Sequence, residues 1–336
     1  MTEKQIAYTD LNRLLAGLAE KGTVFAPAKD ETGDAVLAAL PRNEPLVLEY
    51  RNFHLPPKAL FLPQNQTLIR FKDGKAEEPS LLGGATFLFG MRPCDARALL
   101  ALDEVFLGGD QIDPYYAHQR ARTTVIVLAC SRAMSSCFCT SVGGGPGDGA
   151  GADVLTVGLD GDLLLRAVTA RGEALLSSVA DLLAEVAPGA IKEAEERIRA
   201  VESQMTPAKI EDSARLLRDA YDAPVWEAAA RKCLGCGTCS FLCPTCHCFD
   251  ITDEVRGGTG RRVRTWDCCA YPLFTLHASG HNPRPMPKER WRQRIMHKFR
   301  YAVENFDRLF CVGCGRCIRN CPVSMDLRTV LKEVGA

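Results

Sequence analysis

The sequence predicts an α/β N-terminal domain followed by a mainly helical C-terminal domain, and three observations carry that expectation. Short apolar runs, Leu46 to Tyr50, Thr86 to Gly90 and Thr124 to Leu128, are rich in Val, Leu and Phe. They alternate with Pro/Gly loops or helical patterns such as Asp95 to Phe106, as in a layer with at least partly parallel strands. Helical periodicity then dominates from about Glu173 to Arg231, with Ile191, Ala194, Ile198 and Val201 on one face. Last, the spacing C-x2-C-x2-C-x3-C-P occurs twice, at Cys233, Cys236, Cys239, Cys243 and Pro244, and again at Cys311, Cys314, Cys317, Cys321 and Pro322. The chain of 336 residues is long enough for two domains. The expected division is 1–205 and 206–336, near Met205 to Pro207, with Asp222 to Pro224 as the other place for it.

The repeated thiol spacing points to a 2[4Fe-4S] ferredoxin-like domain. A cube needs four thiolates converging from different directions; a short turn supplies three, and in the bacterial two-cluster pattern the fourth, followed by Pro, crosses to the other cluster. On that rule Cys233, Cys236, Cys239 and Cys321 hold one cube, and Cys311, Cys314, Cys317 and Cys243 hold the other. Sixteen cysteines and no export signal argue against disulfides, since such spacing in a reducing compartment reads as metal binding or catalysis. Structural zinc takes two separated Cys pairs, whereas three thiols here fall in consecutive CxxC steps with a fourth before Pro.

The N-terminus, MTEKQIAYTDLN, has no apolar signal core, and no run reaches the 18 or so apolar residues of a membrane span. A cytoplasmic protein is expected. Forty-one basic and 41 acidic residues cancel, so the overall balance does not point to nucleic acid or an anionic membrane. Residues 1–20 should open with a helix, Leu11, Leu14, Leu15 and Leu18 recurring on one side with Thr9 or Asp10 as cap.

Two predicted strands run directly into cysteines: Thr86 to Gly90 leads to Arg92, Pro93, Cys94 and Asp95, and Thr124 to Leu128 leads to Cys130. Ligands of open α/β sheets collect outside the carboxyl ends of strands. Cys137 and Cys139 follow in SSCFCTS and can reach the same place. Cys94, Cys130, Cys137 and Cys139 are therefore a candidate third iron–sulfur site, with inert packing of small apolar side chains as the alternative. Residues 142–152, VGGGPGDGAGA, read as a flexible loop without the GK[ST] of a phosphate cradle. Val154 to Val157 and Leu163 to Val168 flank a hairpin turn at LDGD.

Beyond Cys243, CPTCHCFDITDE adds Cys246 and Cys248, and RTWDCCAY adds Cys268 and Cys269. Cys239, Cys243 and Cys246 match the C-x3-C-x2-C of radical enzymes, but that reading leaves Cys233, Cys236 and the second motif unexplained. His247 lies between two cysteines and is left out of the ligand set, a lone His being more often structural. Residues 284–300 carry Arg284, Lys288, Arg290, Arg292, Arg294, Lys298 and Arg300 against only Glu289. Such a run is ordinarily a solvated face; the alternatives are that it raises cluster potentials or docks an acidic partner. The last helix, Asp326 to Val334, puts Leu327, Val330, Leu331 and Val334 on one side and should stop at Gly335.

These residues together resemble the family that includes the beta subunit of cytosolic sulfhydrogenases and the A subunit of anaerobic sulfite reductase. The resemblance rests on RPCD at 92–95, CFCTS at 137–141, CxxCxxCxxxCPTCxCFD at 233–250, RTWDCC at 264–269, GHNPR at 280–284 and CVGCGRCIRNCPV at 311–323. It implies a wire between a flavin-containing partner that works with NAD(P)H or a similar carrier and a catalytic subunit where hydrogen or sulfite reacts. One departure is visible: the family usually has a single cysteine after the WD-like step. Cys269 is expected to be the matching one, which leaves Cys268 without an implied role.

Paired carboxylates, a nucleophile elbow and a dinucleotide fingerprint are all missing, so the sequence offers metal rather than a site for an organic substrate. The reading is outer-sphere electron transfer by a subunit with no catalytic residues of its own. Its rivals are a catalytic redox subunit with its active site at an Fe-S centre in the N-terminal domain, and a non-catalytic Fe-S scaffold or sensor.

Overall fold

The computed structural model describes residues 2–41, 46–81, 83–210 and 212–334. Gly335, the expected end of the last helix, lies outside the described residues. The strands in chain order are β1 (Glu3–Ala7), β2 (Gly22–Lys29), β3 (Ala35–Ala39), β4 (Asn65–Lys72), β5 (Lys75–Glu77), β6 (Ala85–Met91), β7 (Thr123–Leu128), β8 (Val154–Gly158), β9 (Asp162–Ala167), β10 (Phe249–Arg256) and β11 (Thr259–Trp266). The chain divides into two compact units: residues 1–57, 83–207 and 312–315 form the first, and residues 58–82, 208–311 and 316–336 the second.

The first unit is α/β. Its seven-stranded sheet has the order β1-β9-β8-β7-β6-β2-β3, with β2, β6, β7 and β8 parallel, β3 and β9 running against them, and β1 pairing antiparallel with β9. The central strands are covered on both faces, which is why Thr123–Leu128 is buried at every position instead of alternating. The main core joins Leu11, Leu14, Leu15 and Leu18 of the helix Leu11–Ala19 to Val24, Phe87, Phe89, Ile126 and Leu165 of the sheet.

Several expectations are corrected in this unit. The chain opens with strand β1 before its first helix, because residues 3–7 find an antiparallel partner in β9. Asp10 stands at the N-cap without capping through its side chain; its carboxylate accepts instead from Arg13 Nη1 at 3.1 Å. Leu46 to Tyr50 is not a strand. Val47 N donates to Pro27 O at 3.2 Å, but Pro27 has no N–H to return, and the carbonyls of Leu48 and Tyr50 are taken by the Arg92 guanidinium. The glycine-rich loop 142–152 is packed: a Cβ on Gly151 would run into the carbonyl of Ala96, and one on Gly147 into Ile198. The helical stretch breaks into Ala170–Ser178 and Ala190–Glu202 here and Ser213–Asp219 and Val225–Ala230 in the second unit, interrupted at Pro188, Pro207 and Pro224. Ile191 is exposed whereas Ala194 and Val201 are buried.

The second unit contains helices and a four-stranded sheet of order β10-β11-β4-β5, all its pairs antiparallel. The sheet was not expected in a mainly helical domain. Its long hairpin, Phe249–Trp266, is stitched by ion pairs in place of an apolar stripe: Arg262 reaches Asp253 at 2.8 Å and Arg261 reaches Glu254 at 2.7 Å, both pairs directly opposed across the strands. The helix Pro287–Met296 runs into a π-helical turn, His297–Tyr301, and then into Ala302–Phe306. No helix among the described residues is long and apolar enough to cross a membrane.

Candidate metal centre

Left-handed glycines shape the first thiol loop: Gly235 and Gly237 have φ of 66° and 78°, so the backbone turns tightly between Cys233, Cys236 and Cys239 before the short helix Thr238–Phe241. A cavity of about 120 Å³ in the second unit is lined by Cys233, Cys236, Cys239 and Cys321, with Cys317, Arg290 and Arg294 beside them. The thiol before Pro322 thus opens on the same space as three thiols of the other motif. Cys243, the corresponding thiol of the first motif, is buried elsewhere: Lys298 Nζ lies 3.2 Å from its sulfur, and its partner hydroxyl, Thr245 Oγ1, donates to Phe310 O at 2.7 Å, one residue before Cys311.

The basic run divides by face. Arg290, Arg294 and Lys298, four residues apart, are buried at 8%, 3% and 2% exposure, so three of the seven cations do not lie on a solvated face. The outward members form surface pairs: Lys288 with Glu227, Arg292 with Asp222 and Arg300 with Glu304. Arg294 Nη1 donates to Cys246 Sγ at 3.3 Å and to Ser240 Oγ at 3.1 Å, while Nη2 donates to Cys239 O at 2.7 Å. Its Nε is buried without a partner. Lys298 Nζ donates to Thr245 Oγ1 and Phe310 O, both at 2.9 Å. Phe310 N in turn donates to Lys298 O at 2.9 Å, which clamps the π-helical turn to the residue preceding Cys311. A third cation, Lys58, is 3% exposed, sits 4.2 Å above the Trp266 ring and donates to Cys246 O at 2.6 Å.

Burial opposes all three charges. It lowers the Lys58 pKa, against the fields of Cys246 and Cys243. For Lys298 and Arg294 burial also pulls downward but loses to the thiolates, Cys243 and Cys246 for the lysine and Cys239 and Cys246 for the arginine, and both pKa values end up raised. Their hydrogen-bond partners are sulfur, hydroxyl and carbonyl oxygen, not carboxylate. An unpaired buried charge is expensive, so this donor set suits a group that brings negative charge of its own, as a thiolate-ligated iron–sulfur cluster does. Among the described residues no three His, Cys, Asp or Glu side chains converge on one ion.

Cys246, Cys248, Cys268 and Cys269 gather at the foot of the β10–β11 hairpin. Phe249 pairs with Trp266 and Asp267 N donates to Cys248 O at 2.9 Å, which brings the two segments together. Contact with the Cys248 and Cys268 thiols holds the Cys269 pKa well below its ordinary value. Ala270 N donates to Cys268 Sγ at 3.3 Å, and Ser240 Oγ lies 4.0 Å from Cys269 Sγ. His247 Nδ1 sits 3.1 Å from Thr245 O. Burial drops its pKa to about 4, and its ring meets that of His297 edge-on at 5.3 Å.

In the first unit Cys94 stands in the first turn of the helix Pro93–Phe106, and Cys130 follows β7. Cys139 opens the 3-10 turn Cys139–Val142. Burial pushes Cys130 up to about 11, opposed by Arg92 and helped by Cys137; it pushes Cys139 up to about 12, with the fields of Cys130 and Cys137 adding to it. Those three thiols therefore share one neighbourhood, and Cys94 joins Cys130 in acting on buried Tyr50. The Arg92 of the RPCD stretch is 1% exposed and donates to Leu128 O, Ala129 O and Arg51 O at 3.1, 2.7 and 3.1 Å. The sequence reading gave it no role. Its signal was a bulge: Gly90, with φ of 82°, interrupts the β6–β7 register between Phe89 and Met91 and re-aims the chain before Arg92. Cys314 lies in residues 312–315, counted with this unit; Phe138 N donates to Gly313 O at 2.9 Å, and Asn52 Nδ2 to Cys314 O at 3.2 Å.

Thiol loops of this spacing around buried, carboxylate-free cations define an iron–sulfur protein, and residues 232–325 match the family model described as a 4Fe-4S dicluster domain. The chain is 33% identical over 326 residues to sulfhydrogenase 2 subunit beta of Pyrococcus furiosus, which covers 94% of this chain and 93% of that relative. It belongs to the sulfhydrogenase beta subunit family. No solved structure matches it.

Proposed function

We propose that the chain is an iron–sulfur electron-transfer subunit of a multisubunit cytoplasmic oxidoreductase, relaying electrons between a flavin-containing NAD(P)H-type partner and a hydrogenase-like or sulfite-reductase-like catalytic subunit. The observation that carries the reading is the cavity shared by Cys233, Cys236, Cys239 and Cys321, because a crossed fourth ligand is what the two-cluster arrangement requires. Those four residues would hold one [4Fe-4S] cluster, and Cys311, Cys314, Cys317 and Cys243 the second. Bound there, the clusters supply one-electron outer-sphere transfer. The chain's part is to hold fixed positive charge beside them, through Arg294 and Lys298, and to wall the first site with Trp291, so that little reorganises when charge changes. The relative's name, a sulfhydrogenase subunit, supports a hydrogenase-like complex. The mutual fields of Cys130, Cys137 and Cys139 support a further cluster at Cys94, Cys130, Cys137 and Cys139.

Anaerobic purification of the native complex, with its subunits identified and iron and acid-labile sulfide measured, tests this reading. At least about eight irons and eight sulfides per chain are expected from two cubes. Zinc in their place, or disulfides at Cys233 and Cys311, would end the proposal.

A further inference from the structure

Four thiols remain outside that assignment, and they come from two distant stretches of sequence: Cys246 and Cys248 before β10, Cys268 and Cys269 after β11. The hairpin register joins them. Phe249 opposite Trp266 and the Asp267 N to Cys248 O bond place Cys248, Cys268 and Cys269 at one end of a sheet; Cys246, two residues before Cys248, rests its thiol against Cys243 and acts on Cys248 through its field. Cys246 and Cys268 are 7% and 0% exposed, which suits thiols that never meet a solution reagent.

Two further observations point to a ligand. Arg294 directs one nitrogen at Cys246 Sγ, 3.3 Å away, and keeps a buried Nε with no acceptor; Lys58 is buried over Trp266 with the Cys246 carbonyl as its hydrogen-bond acceptor. Arg294 beside Cys246 Sγ and Lys58 beside the Cys246 carbonyl are balanced by a thiolate at Cys246, the form in which cysteine binds metal. The second observation is donor geometry: Ala270 N at 3.3 Å from Cys268 Sγ, and Ser240 Oγ at 4.0 Å from Cys269 Sγ, offer the N–H and O–H contacts that accompany cluster sulfur.

We propose that Cys246, Cys248, Cys268 and Cys269 hold an additional iron–sulfur cluster at the foot of the β10–β11 hairpin. The inference rests on the electron-transfer reading above and extends it. Ser240 and Arg294 connect this site to the first thiol loop, since Arg294 Nη2 also donates to Cys239 O at 2.7 Å. Electrons on the cube of Cys239 thus have a neighbouring acceptor within the same unit. The paired cysteines after Trp266 and Asp267 both acquire a use, each as a ligand.

The test uses the native complex, purified anaerobically, carrying Cys248→Ser together with Cys268→Ser. Loss of about two to four irons and as many sulfides per chain is expected, with the EPR signals of the two cubes kept. Unchanged iron and sulfide would overturn the inference, as would zinc without sulfide in the wild type. A parallel Cys236→Ser complex separates the two levels: if it too loses no iron, the electron-transfer reading itself has failed. If the double variant does not assemble, alkylation of the wild-type complex decides. Cys248, Cys268 and Cys269 should resist iodoacetamide until iron is chelated; labelling before chelation, or a Cys248–Cys269 disulfide in the anaerobic protein, refutes the site.

Discussion

Lys298→Met should lower the reduction potential of the cluster proposed at Cys311, Cys314, Cys317 and Cys243. The ammonium is 2% exposed and 3.2 Å from the sulfur; it favours the more negative, reduced form, so removing it favours the oxidised one. A unit charge at 3.2 Å with an effective dielectric of about 20 interacts by roughly 5 kcal/mol. The added electron spreads over the whole cluster, and if about a quarter of it resides near that thiolate the difference is about 1.3 kcal/mol, on the order of 60 mV for a one-electron couple. The thiolate fields outweigh burial and raise the Lys298 pKa above its ordinary value, so the lysine keeps its charge through neutral and mildly alkaline pH. Its contribution to the potential should therefore be flat over that range.

The assay is an anaerobic redox titration of the complex followed by EPR, with Lys298→Arg as the control that retains charge. The methionine variant should shift downward and the arginine variant much less. Iron content must be the same in both. A downward shift smaller than about 15 mV, a quarter of the expected value, or an upward one, would show that the ammonium does not act electrostatically on this couple.

Cys321→Ser should disturb the cluster of Cys233, Cys236 and Cys239 and leave the Cys311 one intact; identical EPR losses in Cys321→Ser and Cys311→Ser would defeat the crossed assignment. Arg92→Met strips donors from carbonyls at the strand ends and should cost at least about 3 kcal/mol, read as a lowered midpoint in denaturant. Chelating the iron should reduce hydrogen-exchange protection in the helix Pro287–Met296 while that of the helix Leu11–Ala19 holds, because Lys58, Arg294 and Lys298 lose their counter-charge; equal loss in both would contradict this. Replacing Lys288, Arg292 and Arg300 together by Ala should move neither potential nor iron content, each surface pair being worth about 1 kcal/mol or less; a downward potential shift in the triple variant would show that the outward charges matter as well.

What the sequence made legible followed from local rules. Leu11, Leu14, Leu15 and Leu18 repeat at helical spacing and are all buried, and β6, β7 and the β8–β9 hairpin are read off apolar runs and an Asp-Gly turn. The hairpin Phe249–Trp266 was hidden because its pairing rests on Asp253 with Arg262 and Glu254 with Arg261; the apolar Ile251 and Val255 of its first strand are exposed and mark no core face, and the thiols it gathers lie outside it. Leu46 to Tyr50 misled for the opposite reason. Its composition is that of a strand, but a side chain from RPCD consumes the carbonyls a ladder would need.

The basic run shows how one composition can conceal two uses. Seven cations in residues 284–300 were read as a surface, yet on a helix residues four apart share a side. Arg290, Arg294 and Lys298 form one such series and Lys288, Arg292 and Arg300 nearly another, offset by two positions. The second series ends on carboxylates at the surface; the first ends, at Arg294 and Lys298, on thiols in the interior. The interior series bears the heavier desolvation, and the groups that offset it at Arg294 and Lys298 are cysteine sulfurs, chiefly Cys239, Cys243 and Cys246. A docking surface would need its cations free of intramolecular carboxylates, which the outward series is not. The helix thus fits the tuning of bound clusters better than the capture of an acidic partner.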